Sequence, residues 1–201
     1  MFSRLKGLIF CLFLPISLLA QSFVLHNQTG LLLPKAALLV QAVSHELYAK
    51  TGFSFYIDMV DTHPLNTKQE RKAYESDVAS KLSSPYAVLF FFREAKKIEI
   101  ILSPNAQNLF DINQMYFDYI APLLPEKDTD LTPERISAFL INGYSEIADR
   151  IADGYGIKLE NNFPPDNQNQ FVRVILYLML ISLVGLFVVV YFFKGKNKGK
   201  K

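Results

Sequence analysis

Asp58, Asp61 and His63 fall within six residues of one another. Two carboxylates beside an imidazole can hold a hard divalent cation or move a proton. They close an apolar run at residues 53–60, and the ends of strands in open α/β sheets are where ligands usually bind. Asn27 follows another short apolar run at 23–25 and offers a neutral carbonyl oxygen, while Asp128 lies on the approach to a later helix. Asn27, Asp61, His63 and Asp128 are therefore the candidate cation ligands, with weakly held calcium or magnesium as the matching ion and no other cofactor implied. Structural roles compete with that reading. Asp61 and His63 are equally suited to capping a helix entry or lying solvated in a loop, and Asp58 to pointing at solvent. Asp128 and Asp130 precede Thr132-Pro133, where carboxylates favour the positive end of a helix. His26 and His45 stand alone, and His45, two residues after an inward Val43, is expected to face solvent. No residue is assigned a catalytic role. The chain carries no His-x-Glu metal motif, no Gly-rich phosphate loop and no G-x-S-x-G elbow, and Ser83 and Ser84 have no general base nearby in sequence.

The elements that must position these residues follow from periodicity. Residues 23–25 suggest a first short strand. Pro34 opens a helix where its missing N–H is harmless; Ala36, Val40, Val43 and Leu47 recur at helical spacing, and Thr51-Gly52 ends it. Residues 53–60 are aromatic and β-branched, a buried strand. Thr67 and Glu70 form a capping-box pattern for a second helix that turns Tyr74, Val78 and Leu82 inward. Residues 86–92 form the most apolar strand, and 97–102 alternate as its antiparallel partner. Residues 105–123 predict a helix with Leu109, Ile112, Tyr116, Tyr119 and Leu123 on one face. Thr132-Pro133 starts a last helix with Ile136, Leu140, Ile147 and Ile151 as its stripe, ended by Asp153-Gly154. The fold class is α/β: a small, mixed, mostly parallel sheet flanked by helices on both faces. The aromatic runs are read mainly as core, with a surplus at 116–119 as the alternative interaction patch.

The ends place this domain. Residues 7–20 are apolar after Arg4 and Lys6, and Ala20-Gln21-Ser22 supplies small residues for cleavage, so residues 1–22 read as a secretory signal. Cleavage after Ala20 and retention as an anchor are the alternatives. Residues 174–193 contain no charge, and 20 helical residues span about 30 Å, the thickness of a hydrocarbon core. A transmembrane helix is thus expected at 173–193, with a Lys-rich tail at 194–201 held in the cytoplasm. The layout is a signal at 1–22, an exported domain at 23–160, a polar, proline-containing linker at 161–172, then span and tail. All 19 Asp and Glu lie between residues 23 and 170; of the 21 Lys and Arg, eight belong to the ends, leaving 13 and a net charge of −6. An acidic domain demotes nucleic-acid binding. The only cysteine is Cys11, so cleavage leaves no thiol for a disulfide, a nucleophile or a metal, a composition that suits a bacterial periplasm. The expected partners are the bilayer and another membrane or envelope protein.

Four segments resemble one family. Residues 23–32 (F-V-L-H-N-Q-T-G-L-L), Thr51-Gly52-Phe53 entering a strand, residues 86–92 followed by Lys97-Ile98-Glu99-Ile100, and residues 136–148 are similar, in this order, to the TPM domain. That family consists of exported, membrane-tethered α/β domains. The resemblance covers about residues 23–155. It implies that fold, and functions ranging from photosystem II repair and acid phosphatase activity to interaction with membrane complexes. The phosphatase activity of the family rests on acidic residues that hold a cation near strand ends. Here the opening Asp of the family is Asn27, and its acidic-Asn-Gly turn is replaced by Ser83-Ser84-Pro85. Neutral oxygens are poorer ligands for a hard cation, so the sequence favours a non-catalytic binding or assembly module, with a divalent-cation phosphatase of rearranged site as the alternative.

Overall fold

A strand of seven consecutive apolar residues needs cover on both faces, and Tyr86–Phe92 (β2) is such a strand, buried along its length. The computed structural model describes residues 21–127, 131–163, 178–182 and 184. β2 lies between Ser54–Val60 (β1) and Lys97–Leu102 (β3) in a three-stranded sheet of order β1-β2-β3. β1 pairs with it in parallel, from Ser54 opposite Tyr86 to Val60 opposite Phe92. β3 pairs antiparallel, from Ala87 opposite Leu102 to Phe92 opposite Lys97. The sheet is thus mixed, one parallel and one antiparallel pair, rather than mostly parallel. The predicted first strand is reduced to one parallel bridge, Val24 to Ile57.

The helices follow the apolar stripes. Pro34–Thr51 (α1) buries Val40, Val43 and Leu47 and ends on Gly52 in the left-handed region, φ 73°. Lys68–Ser80 (α2) carries the crossover from β1 to β2 and opens with the Thr67–Glu70 capping box formed in both directions. Pro133–Gly154 (α4) buries Ile136, Leu140, Ile147 and Ile151, with Phe139 and Tyr144 added. Alternation along the strands sorts the two faces. Phe55 stacks on Tyr144 with ring centroids 4.1 Å apart, and Phe91 meets Phe139 at 5.8 Å, so this face packs on α4. Ser44 of α1 joins that layer, donating to the Phe55 carbonyl and sharing a short hydrogen bond with the Tyr144 hydroxyl. Residues of the other parity, Phe90 and Phe92, meet Tyr74 of α2 edge-on at 6.2 Å.

Residues 105–123 do not form the single helix their spacing suggests. They contain a turn at Pro104–Ala106, the short helix Ile112–Met115 (α3) capped by Asp111, a π-helical turn at Tyr116–Ile120 and a final turn at Ala121–Leu123. The wide turn changes the phase. Met115 and Ile120, five apart, are the buried residues, while Leu123 of the predicted stripe is 48% exposed. Asp111 starts a new helix because its carboxylate accepts from the N–H groups of Asn113 and Gln114.

The chain leaving α4 turns back onto α1. Glu46 accepts hydrogen bonds from the N–H of Glu160 (2.7 Å), the N–H of Asn161 (2.8 Å) and the Asn161 side chain (2.9 Å). Asn162 donates its side-chain amide to the Ser145 carbonyl. The segment assigned to the linker therefore begins with residues bonded into the domain. Residues 1–20, 164–177, 183, 185–201 and Asp128 to Asp130 lie outside the described residues, and with them the tail and most of the signal, linker and span. Among the described residues no helix is long and apolar enough to cross a membrane.

Candidate functional site

Asp58 sits in the middle of β1 and is fully buried, so it does not point to solvent as its strand position alone suggests. It belongs to the parity that faces α2, and that helix closes over it. A buried carboxylate must find donors. His26 Nδ1 lies 2.8 Å from Oδ1, and the Tyr74 hydroxyl donates to Oδ2 at 3.1 Å. Each partner comes from a different element. Tyr74 projects from α2. His26 is delivered by the extended segment along the outer edge of β1, where the Ile57 N–H donates to the Phe23 carbonyl, the Leu25 N–H to the Ile57 carbonyl and the Met59 N–H to the His26 carbonyl.

Burial raises the Asp58 carboxyl above its ordinary range, opposed by the His26 ring and the Tyr74 hydroxyl. Burial and then the Asp58 charge push the Tyr74 phenol far above its ordinary value, which keeps it a donor. The His26 side chain is 47% exposed. An imidazole whose Nδ1–H is held by a buried carboxylate presents Nε2 for proton transfer. Covalent catalysis would also require a nucleophile within hydrogen-bond reach of that ring. Among the described residues the ring of His26 bonds Asp58 and, at 3.2 Å, Tyr74, and no serine or threonine.

Of the residues picked out from the sequence, Asn27, Asp61 and His63 are each bonded locally. Asn27 uses both ends of its amide on Leu32, donating to the carbonyl at 2.7 Å and accepting from the N–H at 2.9 Å. It thereby closes the turn that contains Gly30, φ 71°. Asp61 Oδ2 accepts from the Thr29 N–H at 2.9 Å and from the Thr29 hydroxyl, tying the β1 end to that same turn. The Asp61 charge adds to the upward shifts of Asp58 and Tyr74, so Asp58 and Asp61 do share one electrostatic neighbourhood. The His63 side chain is exposed and, among the described residues, bonds the hydroxyl of neighbouring Thr62 at 3.0 Å. Asp128 lies outside the described residues. Thus Asn27 and Asp61 come together, His26 takes the place expected for His63, and α2 is capped by Thr67 rather than by Asp61 or His63. Among the described residues no group of three or more His, Cys, Asp or Glu side chains is arranged to hold a metal ion.

A second charged cluster, between α2 and β3, escaped the sequence reading. Arg71 donates to Glu99 at 2.6 Å and to the Asn66 carbonyl, and Lys72 donates to Glu75 at 2.9 Å. Glu75 is 3% exposed, and its Oε1 meets no conventional donor. Burial first, then Glu99, push Glu75 up to about 7 despite Lys72. Glu99 is held below the ordinary range: burial opposes this, but the bond to Glu75 and the Arg71 guanidinium outweigh it. Of the two carboxyls, Glu75 is the one pushed toward its neutral form. Charged residues at helical and strand positions on both sides were the available signal.

No family model, curated protein or solved structure matches the chain.

Proposed function

We propose that the chain is an exported TPM-like domain, anchored in a bacterial inner membrane by residues 173–193, that acts as a non-catalytic binding and assembly module for an envelope or membrane complex. The domain faces the periplasm and the Lys-rich tail the cytoplasm. The observation that carries this reading is how the strand-end polar groups are used. Asn27 closes the loop at 27–32 and Asp61 fastens it to β1, so both act on the backbone of the domain itself. The mixed sheet with α2 on one face and α1 and α4 on the other supports the TPM-like fold. The polar run after Phe163 and the uncharged run at 174–193 support the tether.

The alternative, a divalent-cation phosphatase with a rearranged site, is favoured by one feature: half-exposed His26 held by buried Asp58, with Asp61 close by. Thermal melting of the full chain in detergent separates the two. A cation site raises the melting temperature as calcium or magnesium increases, by about 2.7 kcal/mol of stability at 100 times its dissociation constant. We expect no such rise, together with specific crosslinks to a membrane or envelope protein when the tail-tagged chain is recovered from intact membranes. A saturable rise, or recovery of the chain without a crosslinked partner, contradicts the proposal.

A further inference from the structure

The two edges of the sheet are treated differently. The outer edge of β1 is covered by the extended segment at 23–26, which takes its backbone groups. The outer edge of β3 has no such cover among the described residues. Its orientation follows from three bonds. The Ser54 N–H donates to the Pro85 carbonyl and the Arg93 N–H to the Val60 carbonyl, so odd-numbered residues of β2 face β1. The Ser103 N–H donates to the Tyr86 carbonyl, so even-numbered residues face β3. Because pairing alternates along an antiparallel ladder, Lys97, Glu99 and Ile101 turn their backbone groups inward. Ile98, Ile100 and Leu102 turn theirs outward, and no hydrogen bond to these groups is formed among the described residues.

Edge strands are normally blunted by charged side chains, proline, a bulge or a covering element, and here the charges, Lys97 and Glu99, stand at positions whose backbone groups face inward. β3 has no proline, and its six-residue register runs without a break. Beside the edge lies a cavity of about 290 Å³ between β3 and the helical turns after it, lined by Ile98, Ile100, Ile112, Tyr116 and Phe117. Phe117 is 65% exposed. Arg93 and Lys97 are exposed at one end of the strand.

We propose that the outer edge of β3 receives an extended peptide segment of a partner protein as a fourth strand, apolar at alternate positions and acidic at the end beside Arg93 and Lys97. This rests on the reading of the domain as a binding module and names its partner. The backbone pattern selects the occupant. Successive outward groups are two residues apart, about 6.7 Å, and an extended chain offers donors and acceptors at that repeat. A helix has used its own, and a lipid chain has none. Strand addition draws affinity from the main chain and specificity from pockets for alternate side chains; the cavity is placed to be such a pocket. A second copy paired antiparallel about Ile100 sets Ser103 opposite Lys97 and so supplies no acid at that end.

Hydrogen exchange on the full chain in detergent micelles tests the first step. The amides of Ile98 and Ile100 should exchange quickly while those of Glu99 and Ile101 are protected. Protection of all four overturns the proposal, since the edge is then already covered. Selection from a random eight-residue peptide display library, with the full chain as bait, tests the second. The expected binders alternate apolar residues, carry an acid at one end and slow exchange at Ile98 and Ile100. Methylating their backbone nitrogens that face β3 should weaken binding about tenfold or more. Phe117→Ser should weaken binding several-fold without changing the melting temperature. No binders, binders that protect other amides, or concentration-dependent dimers by light scattering overturn it. Crosslinks from membranes that map to another surface refute the edge while leaving the binding-module reading standing.

Discussion

Replacing Glu46 by Gln tests whether the chain leaving the domain is fastened to it. Glu46 accepts four hydrogen bonds: from Lys50 Nζ, the N–H groups of Glu160 and Asn161, and the Asn161 side chain. Burial alone raises this carboxyl, but the Lys50 ammonium and the Asn161 and Glu160 N–H groups outweigh it and bring it from 4.5 to about 2. At about 1.4 kcal/mol per pKa unit, that difference corresponds to roughly 3 kcal/mol. The Glu46 side chain is buried, but its partner Lys50 is about one-third exposed, so solvent screening reduces the figure to about 1.5 kcal/mol. Glu46→Gln keeps the size but turns one acceptor into an NH₂ group facing donors. The folded-state pKa is depressed, so the stabilisation is present above about 4.5 and is lost as pH falls toward about 2. The variant should therefore unfold about 1.5 kcal/mol more easily than wild type at pH 7, with the gap narrowing toward pH 2. Denaturant titration measures the gap, and hydrogen exchange at Glu160 and Asn161 locates it. Equal exchange at those two amides, or the same gap at both pH values, refutes the reasoning.

Three further outcomes follow from the geometry. Glu75→Gln mimics the protonated form of a carboxyl acted on by Lys72 and Glu99. Because the folded-state pKa of Glu75 is raised to about 7, its contribution to stability declines as pH rises from about 4.5 through 7. The variant should match wild type near pH 5 and exceed it by about 2 kcal/mol at pH 8 by denaturant midpoint, and a gap that stays constant with pH would count against a neutral Glu75. Gly143→Ala places a Cβ 2.3 Å from Ile120 Cγ1 and 2.6 Å from Cδ1. Overpacking costs about 1–3 kcal/mol and outweighs the gain in helix propensity of about 1 kcal/mol, so the melting temperature should fall; a rise would mean that Ile120 yields freely. His26→Ala leaves buried Asp58 with Tyr74 alone and should cost about 1–3 kcal/mol in a thermal melt, whereas an unchanged melt would remove its role as a pin between the first segment and the sheet.

Elements whose apolar positions keep one period were legible in the sequence. Val40, Val43 and Leu47 foretold α1, the Thr67–Glu70 pair foretold the start of α2, and Ile136 to Ile151 foretold α4. Residues 105–123 were not, because a π-helical turn resets the phase: Met115 and Ile120 are buried five apart, a spacing that a 3.6-residue period assigns to different faces. The candidate site was half legible. Asp58, a lone carboxylate in an otherwise apolar strand, was visible as an anomaly, but whether its face met solvent depended on α2 packing over it. His26 stands 32 positions away and Glu75 lies 24 from Glu99, so neither pairing leaves a trace in local spacing. His63 is close to Asp58 and Asp61 in sequence, but that same closeness sets it in an exposed loop after β1.

Turnover of a generic phosphomonoester by the full chain, with magnesium or calcium present, bears most directly on the reading of this domain as a binding module. The account predicts no hydrolysis above background for wild type, His26→Ala and Asp58→Asn alike. Hydrolysis by wild type that is lost when His26, Asp58 or Asp61 is replaced, while the melting temperature holds, would contradict it.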